Sequence, residues 1–175
     1  MLQARGLPHA HILIILEVKI LCSRQIDKLI CAEIPNPATH PQLHAIVKKC
    51  MIHKPCDCNA AAGCRLKGKN GSCLRRFPKS LQAQTTASGE GYPKYRRRAL
   101  HTCIIGDRIV TDDWVVPYNP LLLMLFNCHI NIEVSTHRRC FKYVYKYVFK
   151  VPLFTIAASI NCNDSNRRPI MLSWN

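Results

Sequence analysis

Residues 5–16 read Arg-Gly-Leu-Pro-His-Ala-His-Ile-Leu-Ile-Ile-Leu, and this stretch leaves the chain little choice. Gly6 and Pro8 punctuate a turn, and the Ile/Leu run behind them has the length of a strand covered on both faces. A strand over about 9–18 is expected. Side chains alternate along a strand, so His9 and His11 share one side, roughly 7 Å apart. Two imidazoles at that spacing can hold one metal ion. The competing reading is a turn histidine followed by a partly buried one.

A second constellation lies far downstream, in Cys140-Phe141-Lys142-Tyr143-Val144-Tyr145-Lys146-Tyr147-Val148-Phe149-Lys150. As a helix, it brings Tyr143 and Tyr147 one turn apart on one face, with Lys142, Lys146 and Lys150 as a second stripe. As a strand, Tyr143, Tyr145, Tyr147 and Phe149 would alternate, which Val, Tyr and Phe favour. A histidine-held metal beside paired tyrosines and lysines is the equipment of a tyrosine nicking enzyme. The metal polarises a phosphate and a phenolic oxygen attacks it.

The charge agrees with a nucleic-acid partner. The 175 residues carry 25 Lys+Arg against 10 Asp+Glu, a net +15. From Arg65 to Arg98 ten basic residues face one acid, Glu90. That span includes Arg75, Arg76, Lys94, Arg96, Arg97 and Arg98. Tyr92 and Tyr95 interleave with the last four, so rings can stack on unpaired bases while cations meet phosphate. The alternatives are a solvated or targeting run at 96–98, and a turn into a surface strand with Tyr92 and Tyr95 packed inward.

The hydrophobic fraction, 48%, suits a folded domain with a real core. No basic segment followed by a long apolar run opens the chain, and no apolar stretch is long enough to cross a bilayer. Eleven cysteines in what reads as a reducing, nuclear setting suggest metal more than disulfides. His53-x2-Cys56-x7-Cys64-x8-Cys73 could supply the four ligands of a closed zinc site, with Cys50 and Cys58 as alternates. Free thiols on a loop are the competing reading.

Further elements follow from pattern. Asp27 to Pro35 reads as a connector. Pro41 opens a helix whose Leu43, Ile46, Val47 and Cys50 recur on one face to about Met51. Ser80–Gly91 reads as an exposed loop. Thr102–Val116 reads as a hairpin about Gly106-Asp107, and Asn119-Pro120 starts a leucine-rich helix or extended run to Phe126. Cys128–Val134 alternates strictly, so His129, Asn131 and Glu133 share the face opposite the apolar residues. His129 or Glu133 is then a candidate third metal ligand; the alternative is a solvent face.

The pieces RGLPHAHILIIL (5–16), ICAEIPNP (30–37), VKKCMIHKPC (47–56), GSCLRRFPK (71–79), GYPKYRRR (91–98), WVVPYNPLLL (114–123), CHINIEV (128–134) and KYVYKYVFK (142–150) occur in a characteristic order. In that order the chain resembles the Rep (HUH endonuclease) domain of Helitron rolling-circle transposons, the Helitron helicase-like domain. The resemblance covers residues 3 to 150. It implies an α+β, Rep-type HUH fold: a central antiparallel sheet with flanking helices and a Cys-rich insertion at about 50–75.

The function it implies is metal-dependent nicking and transfer of single-stranded DNA. His9 and His11 would hold Mg²⁺ or Mn²⁺, and Tyr143 or Tyr147 would attack to leave a 5′-phosphotyrosine, with Lys146 helping the phenol ionise. Rep-type folds place a strand and a helix before the histidine strand, so the reading is of an N-terminally truncated fragment. Residues 151–175 are read as an unrelated or disordered tail. No Gly-x4-Gly-Lys-Ser/Thr occurs, so a helicase motor is not expected in this chain. Two rivals stand beside this reading: a catalytically inactive DNA-binding remnant and a zinc-stapled interaction module.

Overall fold

The computed structural model describes residues 10–15, 22–53, 73, 75–86, 92–134 and 169–174. The fold is α+β. In chain order it runs β1 (Ala10–Ile15), α1 (Ser23–Leu29), α2 (Pro41–Ile46), a π-helical turn (Val47–Met51), β2 (Cys103–Ile105), β3 (Arg108–Val110), a 3-10 turn (Asp112–Trp114), α3 (Pro120–Phe126), β4 (Ile130–Val134) and β5 (Pro169–Trp174). β1, β5 and β4 form an antiparallel sheet in that order, and β2 and β3 a separate hairpin.

The histidine strand is present at Ala10–Ile15, the rest of the expected span lies outside the described residues, and one side of the strand is an edge of the described sheet. Its partner is β5, in the register Ala10↔Trp174 to Ile15↔Pro169. β5 also pairs with β4, from Ile130↔Trp174 to Val134↔Ile170. The reading of 151–175 as a tail is therefore corrected for its last part. Pro169-Ile-Met-Leu-Ser-Trp174 is the middle strand, an apolar run of strand length that joins β1 to β4.

The helices follow their punctuation. α1 falls where the sequence suggested only a connector. The Cys22 N–H donates to Gln25 Oε1 at 3.2 Å at its start, and Ile26 and Ile30, one turn apart, are both buried. The Leu29 carbonyl at its end accepts from Asn119 Nδ2 at 2.7 Å. α2 begins with Pro41 as expected and widens into the π turn, whose Val47 and Met51 are fully buried. α3 is a helix: Asn119 Oδ1 accepts from the Leu122 N–H at 2.9 Å, and Asn127 closes it in the left-handed region at φ 46°. The β2–β3 hairpin turns at Gly106, φ 59°, with Ile105 paired to Arg108.

Two apolar clusters hold these pieces. Ile130, Ile132 and Val134 on one face of β4 pack with Ile26, Ile30, Ala32 and Tyr95. Ile34, Ile46, Val47, Met51, Cys103, Val110, Val115, Tyr118 and Leu123 form the second. Of the segment 80–91, expected to be an exposed loop, residues 80–86 are described; most are exposed, and two isolated bridges, Gln82 to Arg97 and Thr86 to Lys94, tie them to the basic run. Polar residues hide these bridges from a hydropathy reading. Thr85 is buried, and its hydroxyl accepts from the Arg96 N–H at 2.9 Å and donates to Asp27.

Candidate functional site

β4 alternates as its sequence dictates. Ile130, Ile132 and Val134 are buried against α1, which leaves Asn131 and Glu133, with His129 just before the strand, on the other face. His129 Nδ1 lies 2.7 Å from the Cys50 carbonyl oxygen. A carbonyl only accepts, so Nδ1 carries a proton, and Nε2 is the nitrogen left to offer a lone pair to a metal. That is the arrangement a metal ligand needs.

Two places along the strand, Asn131 Nδ2 is 3.5 Å from Glu133 Oε1. Asn131 Oδ1 is buried with no hydrogen-bond partner among the described residues, so a donor there would be welcome. Burial pushes the Glu133 carboxyl above its ordinary value, against the pull of Asn131, Lys79 and Arg97. Burial also pulls the Lys79 ammonium down, opposed by the charge of Glu133. Lys79 Nζ donates to the Arg75 carbonyl at 2.7 Å and sits 4.8 Å above the Phe77 ring. A half-buried cation and carboxylate thus flank the polar face of β4. Sequence reading missed Lys79, which stood out only as one more basic residue in the run.

The register relates β1 to this face. His11 and Asn131 both pair with Ser173, so the three positions form one row across the sheet. Neighbouring strands lie roughly 4.8 Å apart, which puts β1 roughly 10 Å from β4. In the adjacent row, Ile12–Leu172–Ile132, Ile132 is buried while Ile12 at the edge is 42% exposed. His9, Tyr143, Lys146, Tyr147, Lys142 and Lys150 lie outside the described residues. Among the described residues no three His, Cys, Asp or Glu side chains come together.

The basic run behaves differently from expectation. Arg97 is 3% exposed, and its NH1 donates to the carbonyls of Ala32 (3.3 Å), Val115 (2.7 Å) and Asp112. Burial lowers its pKa to about 10, against the charge of Asp112, so it remains a cation. Beside it, Asp112 accepts from the Ile34 and Ala99 N–H groups at 2.7 Å each. Arg98 forms a two-pronged pair with Glu33, Nε to Oε1 at 2.7 Å and NH2 to Oε2 at 2.9 Å. Arg96 NH2 reaches the same Oε2 at 3.1 Å, and its NH1 lies 3.7 Å from Asp27 Oδ2.

Arg97 is therefore corrected from a DNA contact to a core cross-link, because a buried guanidinium bonded to three carbonyls cannot reach phosphate. Arg96 and Arg98 are engaged by protein carboxylates. Tyr95 is corrected as well. It is 5% exposed, and its hydroxyl accepts from the Val134 N–H at 2.9 Å, the inward packing that was the other reading. Tyr92, Lys94, Arg75 and Arg76 remain exposed.

Of the four candidate zinc ligands, Cys56 and Cys64 lie outside the described residues. The other two meet: His53 Nε2 is 3.3 Å from Cys73 Sγ. The His53 ring stacks on Phe77, centroids 4.3 Å apart, and is near-parallel to Trp114 at 6.4 Å. Burial, then the nearby Arg75 and Lys79, holds its pKa below the ordinary histidine value. No helix among the described residues is long and apolar enough to cross a membrane. No protein-family model matches the chain, and no curated protein matches it.

Proposed function

We propose that the chain is a Rep-type HUH domain of the Helitron kind, which nicks and rejoins single-stranded DNA in the nucleus with Mg²⁺ or Mn²⁺. The observation that carries the reading is the row His11–Ser173–Asn131. In it the position of His11 and that of Asn131, which shares a strand with Glu133, pair with the same residue of β5, and this supports the reading. His9 and His11 would be two metal ligands, and His129 or Glu133 the third; the bond from His129 Nδ1 to Cys50 favours His129. The metal would draw charge from the scissile phosphate. Tyr143 or Tyr147 would attack, forming a 5′-phosphotyrosine and releasing a 3′-hydroxyl. Lys146 and Lys79 are the cations available to stabilise phenolate or phosphate charge.

The test is a single-stranded oligonucleotide labelled at the end that stays covalently attached, incubated with the chain and Mn²⁺. A labelled protein band that survives denaturation is expected. It should vanish in the Tyr143→Phe, Tyr147→Phe double variant and fall by at least about 10²-fold in His11→Ala. Salt-sensitive binding without any adduct would instead identify an inactive DNA-binding remnant.

A further inference from the structure

We draw no further inference here: the strongest candidate, the apolar face of the β2–β3 hairpin on which the paired Ile104 and Ile109 are 60% and 74% exposed, carries none because nothing in the structure shows what covers it.

Discussion

Arg97 shows how far a residue's role can depart from its type. In sequence it is the centre of an Arg-Arg-Arg triplet, which suggests a phosphate contact. In the structure it is enclosed, and one guanidinium nitrogen bonds carbonyls from the segments at 32, 112 and 115. Replacing it with Ala would take this donor from the buried carbonyls of Ala32 and Val115 and the nearby positive charge from the buried Asp112. A loss on the order of 3 kcal/mol or more in unfolding free energy is expected. Arg98→Ala removes an exposed pair and should cost at most about 1 kcal/mol. Urea denaturation of the two variants checks the contrast, and equal small losses would mean Arg97 is not a cross-link. For DNA affinity the order should reverse: exposed Arg75, Arg76 and Lys94 should carry more of the salt dependence than Arg97. Nothing in a triplet of identical residues distinguishes the middle one. Its fate was set by Tyr95 turning inward two positions earlier and by Asp112 arriving from fifteen positions later.

At the scale of elements, Glu33 fastens the stretch after α1 to the arm of residues 94–98. Burial alone would raise its pKa, but Arg98 and Arg96 hold it below the ordinary value of 4.5. The folded chain therefore holds this proton less tightly than the unfolded chain. The stabilisation is present above pH about 4.5 and is lost as pH falls through the lower folded value. Glu33→Gln should lower the melting temperature at pH 7, and the gap from wild type should close on acidification below pH about 4. A gap that is constant with pH would assign the loss to packing.

Elements were legible where a single local rule governs. Examples are Pro41 and Asn119-Pro120 at helix starts, Gly106 at the hairpin and the strict alternation in β4. They were illegible where polar residues carry the structure. α1 was hidden by its short length, and the bridges of Gln82 to Arg97 and Thr86 to Lys94 by polar residues that pair through backbone groups. Of the candidate site, the shared face of Asn131 and Glu133 was legible from alternation, whereas the row through Ser173 depends on a strand pairing, and the place of Lys79 on a bond to Asp113, that no local pattern reveals.

At the scale of the molecule, β5 decides whether there is one sheet. β1 and β4 are not neighbours; each is hydrogen-bonded to β5 and, among the described strands, β1 has no other partner. Removing residues 169–175 would expose one edge of both strands and leave the backbone groups of β1 unpaired. It would also separate the row that relates His11 to Asn131. The shortened chain is expected to lose its cooperative melt and to aggregate, since Ile12 and Ile14 are already 42% and 37% exposed at the edge. A gentler variant isolates the pairing from the bulk of the strand. Leu172→Pro removes the N–H from the middle of β5, where Leu172 pairs with Ile12 on one side and Ile132 on the other. It should lower the melting temperature steeply, and it should reduce nicking more than Leu172→Ala, which keeps the ladder intact. Equal effects of the two substitutions would mean that the side chain, not the strand, is what β5 contributes.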